Sequence, residues 1–277
     1  MNKNDNMSSS IWATMTQYSI KWLAELLNLA FPPRCPACLS TWRHPGLRAD
    51  FLCPDCLDDL NPIVGPICLD CGSPFGCGEQ YDHLCGECLV SPKRCRPIRC
   101  VLEYQGLIRE AINRFKYGKD ISLAQPLGRI LGIGLLVHFG LAEVDVIIPV
   151  PLHINRLRER QFNQSYLLAG YAAGYAGLNE VPLLWPALKK IRTTSNQAGL
   201  DAWARRRNVR GAFQVPEKWQ QQIRGKRIIL IDDVCTTGST LDECAGTLLT
   251  AGAAVVSGLS LCRTMDRDDR SADLGIS

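Results

Sequence analysis

Ile228-Ile229-Leu230-Ile231-Asp232-Asp233-Val234-Cys235-Thr236-Thr237-Gly238-Ser239-Thr240 is the stretch that decides how this chain folds. Four consecutive apolar residues, three of them β-branched, suit a strand buried on both faces of a parallel sheet. The two aspartates mark the carboxyl end of that strand. Thr236 to Thr240 form a short hydroxyl-rich turn around Gly238, and Leu241 to Ala251 reads as a helix. A strand, turn and helix in this order offers unpaired backbone N–H groups and the positive end of a helix dipole, which together make an anion site. The carboxylates add a second requirement. They repel a phosphate, but they accept hydrogen bonds from two adjacent hydroxyls. A sugar phosphate, with its diol on Asp232 and Asp233 and its phosphate in the turn, satisfies both halves. A plain buried strand followed by an Asp-rich turn is the competing reading of the same residues.

This pattern resembles the phosphoribosyl pyrophosphate binding motif of type I phosphoribosyltransferases. The resemblance implies that Asp232 and Asp233 bind the ribose hydroxyls. It implies also that Thr236, Thr237, Gly238, Ser239 and Thr240 hold the 5′-phosphate.

Outward from the motif, the chain alternates strands and helices. Ile98 to Tyr104 reads as a strand, Leu107 to Tyr117 as a helix carrying Arg109, Arg114 and Lys116, and Leu123 to Phe139 as an apolar helix interrupted by glycines. Val144 to Pro151 is a second buried strand that stops at proline. The segment from His153 to Gln164 then carries Arg156, Arg158 and Arg160 directly after a core strand and before an apolar helix over 165–176. Ligands of open α/β sheets bind at the carboxyl ends of strands, so this segment should line the same crevice as Asp232 and Asp233. Arginines there suit a pyrophosphate, being planar bidentate donors, or equally the solvated start of a charged helix. Residues 192–211 are polar and arginine-rich, lie between two apolar strand-like segments, and are too long for an ordinary connection. They fit a lid that brings Arg205, Arg206 or Arg207 toward negative charge, or a solvated face. Ala254 to Cys262 is the last strand, and 266–277 a polar tail.

The other end of the chain has a different chemistry. Of fourteen cysteines, eleven fall between Cys35 and Cys100. Eight form the pairs Cys35/Cys38, Cys53/Cys56, Cys68/Cys71 and Cys85/Cys88, each Cys-x-x-Cys, separated by fourteen, eleven and thirteen residues. Two tight turns, each presenting two thiolates, complete a tetrahedral shell, so two structural Zn²⁺ ions in successive Cys-four ribbons is the economical reading. Disulfides are the alternative, disfavoured in a reducing cytosol. Sequential pairing gives Cys35, Cys38, Cys53 and Cys56 one ion, and Cys68, Cys71, Cys85 and Cys88 the other. An interleaved arrangement fits the same spacings. Cys77, His44 and His83 read as bystanders, because eight ligands are already supplied.

The first ten residues are polar, and Trp12 to Ala30 reads as an amphipathic helix with Leu23, Leu26, Leu27 and Ala30 on one side. It packs on the next module or touches a membrane surface. It lacks the basic block and small-residue cleavage site of a signal peptide, and no later stretch reaches the roughly 20 uninterrupted apolar residues of a transmembrane helix. The expected location is therefore the cytoplasm. With 277 residues, 46% of them hydrophobic, the chain can bury a full core and a second small unit. A net charge of +4 does not by itself demand a nucleic-acid partner.

The cysteine pairs, the motif at Ile228 and the segment Pro149-Val-Pro-Leu-His-Ile-Asn-Arg-Leu-Arg-Glu-Arg-Gln-Phe-Asn-Gln-Ser165 together resemble the ComF family. These are competence-associated proteins with an amino-terminal zinc ribbon region and a phosphoribosyltransferase domain. Phe115-Lys116-Tyr117-Gly118-Lys119, Thr193 to Leu200 and Arg205 to Phe213 match as well, so the resemblance runs from Cys35 to Thr264. It implies a pyrophosphate loop at 152–156 and a mobile loop over about 192–207. One departure is Gln161, where the family has glycine before Phe-Asn-Gln, and glycine permits positive φ where glutamine seldom does.

The expected fold is thus α/β, a type I phosphoribosyltransferase-like parallel sheet flanked by helices over 98–265. A double zinc ribbon over 34–97 and a tail and helix over 1–33 precede it. For phosphoribosyl transfer, Mg²⁺ would enter with phosphoribosyl pyrophosphate. Asp232, Asp233 and Arg156 are the candidate catalytic groups, with Lys116, His153 and Arg205 as further contacts. Cys235 reads as an incidental loop residue, and no side chain announces itself as a general base. The opposing class of function is a non-enzymatic protein of DNA uptake. In that class the arginines at 156–160 and 205–210 track single-stranded DNA, or the ribbons bind other uptake proteins.

Overall fold

The computed structural model describes residues 34–41, 52–76, 78–193 and 207–265. The expected helix over 12–30, His44, Cys77, Arg205, Arg206 and the tail over 266–277 lie outside the described residues. So does most of the expected mobile loop.

Two short helices, α1 (Pro54–Asp58) and α2 (Gly86–Val90), each begin immediately after a cysteine, Cys53 or Cys85, and carry the second cysteine of that pair. Then come β1 (Ile98–Glu103), α3 (Gly106–Tyr117), α4 (Ala124–His138), β2 (Val146–Pro149), α5 (Ile154–Arg160) and α6 (Gln164–Tyr175). The two-residue strands β3 (Lys189–Lys190) and β4 (Phe213–Gln214) pair antiparallel. Finally α7 (Glu217–Ile223), β5 (Arg227–Cys235), α8 (Ser239–Thr250) and β6 (Val255–Arg263) close the fold.

The four longer strands form one parallel sheet in the order β1-β6-β5-β2. Side chains of β5 alternate between its faces. Ile229 and Ile231 join the buried set of α3, α4 and α6, whereas Ile228 and Leu230 join that of α8. A continuous apolar run is what a strand covered by helices on both sides requires. The acids do not end this strand, as the sequence suggested. Pairing with β6 continues through Asp232↔Ser260 and Val234↔Cys262 to Cys235↔Arg263, because β6 is equally long and supplies partners beyond Asp233.

Helix α3 buries Ile108, Ala111, Ile112 and Phe115, the spacing of one helical face. Helices α4 and α6 approach closely through glycines of α4. A methyl at Gly128 would lie 2.4 Å from Tyr171 Cβ, and one at Gly132 would lie 2.9 Å from the Ala172 carbonyl oxygen. Residues 121–138 are long and apolar enough to cross a membrane. They are nevertheless a core helix, largely buried against α6 and β6.

Candidate functional site

Each group of four cysteines expected to act together is gathered. Within each tetrad all four Sγ atoms lie within 4.8 Å of one another. Sulfur separations are 3.7 Å for Cys35–Cys56 and Cys38–Cys53, and 3.8 Å for Cys71–Cys85. A tetrahedral zinc with Zn–S of about 2.3 Å sets sulfur–sulfur edges at about 3.8 Å, so the geometry fits the ion. The pairing is sequential, not interleaved. Backbone N–H groups of Cys53 and Cys85 donate to Cys35 Sγ and Cys68 Sγ at 3.4 Å, which helps to orient each sulfur within its tetrad. These are two structural zinc sites. His83 stacks on Phe75 with ring centroids 3.9 Å apart and belongs to neither tetrad.

The second site is built where β5 runs past the end of β2, whose pairing stops at Pro149↔Ile231 while that with β6 continues. Asp232 is half-buried and Asp233 is 9% exposed. Asp232 Oδ1 accepts from the backbone N–H of Asp233 at 2.9 Å and from the Ser165 hydroxyl at 3.2 Å. Lys116, in the last turn of α3, places Nζ 2.8 Å from Asp233 Oδ1. Burial and the neighbouring Asp233 push the Asp232 carboxyl up to about 7. Burial alone would lower the Lys116 ammonium, but Asp233 outweighs it and raises the group. One cation thus serves two adjacent acids, and the acid it does not touch keeps its proton more readily.

The loop after β5 turns on Gly238, which caps α8 with φ +75°. Only a residue without Cβ suits this position, since a methyl there would also lie 2.9 Å from Ile98 Cδ1. Thr237 and Ser239 hydroxyls lie 2.7 Å apart and line the same turn. The start of α8 has no side-chain cap, so its first N–H groups face the turn.

The basic segment follows β2 on the neighbouring strand, as a crevice at the sheet's carboxyl edge requires. Its helix α5 is capped by His153, whose Nδ1 accepts from the Asn155 N–H at 3.3 Å. Thr193 Oγ1 lies 3.3 Å from the same ring. Arg156 makes an exposed pair with Glu159 at 3.1 Å. Gln161 ends α5 with φ +71°, the left-handed conformation that glycine adopts without cost. Asn163 then anchors the loop, its side chain donating to the Val150 carbonyl at 3.0 Å and accepting from the Tyr166 N–H at 3.4 Å. Beside this loop an apolar cavity of about 330 Å³ is lined by Pro151, Leu152, Leu157, Trp185 and Leu188.

Asp232, Asp233 and Lys116 are therefore brought together, with the loop of Thr236 to Thr240 following directly. His153 and Arg156 stand on the adjacent strand's loop. Ser165 was missed by sequence reasoning, which counted it as the first residue of an apolar helix. Asn163 and Ser165 both lie in the segment 149–165, where neither residue type alone signals its role.

A double zinc ribbon domain family matches residues 26–89. DNA utilization protein YhgH of Salmonella typhi is 32% identical over 237 residues, covering 84% of this chain and 95% of that one. Competence protein F of Haemophilus influenzae is 30% identical, covering 76% of this chain and 90% of that protein. Competence protein ComFC of Bacillus subtilis is 30% identical, covering 81% and 90%.

Proposed function

Because the chain belongs to the ComF family, we propose that it binds phosphoribosyl pyrophosphate with Mg²⁺ at the carboxyl end of β5, as a phosphoribosyltransferase-type protein serving DNA uptake. The observation that carries this reading is the Asp232–Asp233 pair running directly into the Gly238 turn and the uncapped start of α8. Adjacent acids suit a vicinal diol, and the turn suits a monoester phosphate. No single simpler anion uses both.

The roles follow from position. Asp232 and Asp233 accept hydrogen bonds from the ribose hydroxyls, and the N–H and hydroxyl groups of residues 236–240 hold the 5′-phosphate. Lys116 balances the acid pair until the ligand arrives. Among the described residues Arg156 is held by an exposed pair with Glu159, of the kind worth about 0–1 kcal/mol, so it turns readily toward a pyrophosphate. Asp232 and Asp233 are hard carboxylate donors that would suit Mg²⁺, which would supply neutralisation of the pyrophosphate charge when bound. Departure of pyrophosphate from the anomeric carbon passes through an oxocarbenium-like state, which Asp232 and Asp233 favour by their negative charge. The apolar cavity beside the loop is the place for an acceptor. Eight cysteines held as zinc thiolates suit a reducing compartment, so we assign the protein to the cytoplasm.

The relatives' names favour a second reading, in which the same crevice or the arginines of α5 contact single-stranded DNA. Urea unfolding of the zinc-loaded protein at 25 °C tests the first. A ligand that binds only the folded state at 100 times its Kd adds about 2.7 kcal/mol to stability. Phosphoribosyl pyrophosphate should raise the midpoint only with Mg²⁺, and not in Asp232→Asn/Asp233→Asn. A midpoint raised by oligodeoxynucleotide in both proteins, and by phosphoribosyl pyrophosphate in neither, supports the DNA reading instead.

A further inference from the structure

The second zinc ribbon does not merely precede the sheet in the chain. It stands behind the loop assigned above to the phosphate. Its first turn, Asp70-Cys71-Gly72, is fastened to β1 at both ends of one residue. The Asp70 carbonyl accepts from the Ile98 N–H at 2.7 Å, and Gly72, at φ +66°, passes so close that a methyl there would lie 2.4 Å from the Ile98 carbonyl oxygen. Arg99 adds a guanidinium bond to the Leu69 carbonyl at 3.1 Å. The same Ile98 reaches across with Cδ1 to back Gly238, the pivot of the loop.

A second path joins ribbon and loop more directly. Arg263, the last residue of β6, is 6% exposed. Its Nη1 donates to the Cys71 carbonyl at 2.8 Å and lies 3.9 Å from Cys235 Sγ. Cys235 is the residue from which the loop springs, and its carbonyl accepts from the Thr264 N–H at 3.0 Å. One buried guanidinium therefore touches the zinc knuckle with one nitrogen and the root of the loop with the same nitrogen. The first ribbon is held by an equivalent device elsewhere, Arg114 donating to the Pro36 and Ala37 carbonyls at 2.8 and 2.6 Å.

We propose that the knuckle of the second zinc site is the back wall of the loop at 235–239, with Arg263 as the positioning residue between them, so that zinc at Cys68, Cys71, Cys85 and Cys88 sets how well that loop is ordered. The physical reason is that a zinc knuckle holds its backbone only while the ion is bound. Without it the Cys71 carbonyl no longer holds Arg263, and the Asp70 and Gly72 contacts on Ile98 loosen. The loop then loses its support while the sheet keeps its own pairing. That the loop binds a phosphate rests on the function proposed above; its mechanical dependence on the knuckle does not.

The test is amide hydrogen exchange on the full chain without ligand, comparing wild type, Cys85→Ser/Cys88→Ser, Cys38→Ser/Cys53→Ser and Arg263→Lys, with zinc content measured for each. Loss of the second zinc should speed exchange at 236–239 about tenfold or more while amides of 229–231 stay protected. Loss of the first should leave 236–239 within about twofold. Arg263→Lys keeps the charge and both tetrads, but its ammonium ends about one bond short of the Nη1 position between the Cys71 carbonyl and Cys235 Sγ, so it should speed loop exchange with two zinc ions retained. Should the cysteine variant also expose 229–231, Arg263→Lys decides. Loop exchange unchanged in Arg263→Lys, or in a folded protein lacking the second zinc, overturns the proposal. If the loop responds as expected but wild type fails to bind phosphoribosyl pyrophosphate, the coupling stands and the functional reading falls.

Discussion

Lys116 Nζ lies 2.8 Å from Asp233 Oδ1, with side-chain exposures of only 14% and 12%. Removing one partner of a buried pair strands the other charge, at a cost of roughly 3–5 kcal/mol. Here Asp233 would be left beside Asp232 as well. Lys116→Met should lower the urea midpoint by an amount equivalent to about 3 kcal/mol, since the pair is near the surface end of that range. A midpoint equal to wild type would show that the acids have another counter-charge.

Asp232 makes the site pH-dependent in a defined direction. Its carboxyl is raised from 3.8 to about 7, so the folded state favours the protonated acid. Its contribution to stability is full below about pH 4 and is lost as pH rises through 7. Ligand binding runs the other way, because Mg²⁺ and the ribose hydroxyls call for the ionised form. Between pH 6 and pH 8 the ionised fraction rises about tenfold for such a group. The Mg²⁺-dependent affinity for phosphoribosyl pyrophosphate should therefore rise by about that factor, and the rise should flatten in Asp232→Asn. An equal pH slope in wild type and variant would place the titration on the ligand.

Gln161 holds φ +71° at the end of α5. A non-glycine residue in this region carries a cost of roughly 1–2 kcal/mol, part of which glycine gives back through its greater freedom when unfolded. Gln161→Gly should stabilise the protein by about 0.5 kcal/mol or more, read from chemical denaturation. Destabilisation would mean that the glutamine side chain makes up for its backbone strain.

Gly238 combines φ +75° with a setting in which an added methyl would lie 2.9 Å from Ile98 Cδ1. Gly238→Ala should cost roughly 1–3 kcal/mol and weaken phosphoribosyl pyrophosphate binding more than Gly177→Ala, which has φ +75° but open space around it. Equal effects on binding would remove Gly238 from the site.

Much of this arrangement was legible in the residues. The apolar run at 228–231 fixed a strand covered on both sides, because unbroken branched residues suit that environment alone. The Cys-x-x-Cys spacings marked eight ligands for two ions, since each tight turn presents two thiolates, whereas their sequential grouping comes from the structure. The departure at Gln161 suggested an altered loop backbone, yet Gln161 itself takes the left-handed conformation at φ +71°. What the sequence could not show depends on side chains from distant segments meeting. Ser165 reaches Asp232 only because α6 packs across β5. Arg263 and Cys71, separated by 192 residues, meet only once β6 lies beside β1 and the ribbon folds back on it. Lys116 reads from the sequence as a further ligand contact, and the structure gives it Asp233 as its partner in the free protein. The strand end was placed too early, because the length of β6 decides how far β5 stays paired.

Asp232, Asp233 and the Gly238 turn are proposed above as a phosphoribosyl pyrophosphate site. Calorimetric titration of the zinc-loaded wild type with that ligand, with and without Mg²⁺, beside Asp232→Asn/Asp233→Asn, tests it most directly. One ligand should bind per chain, only with Mg²⁺, and the double variant should give no measurable heat. Heat that persists undiminished in the variant, or a folded wild type that binds nothing with Mg²⁺ present, would contradict it.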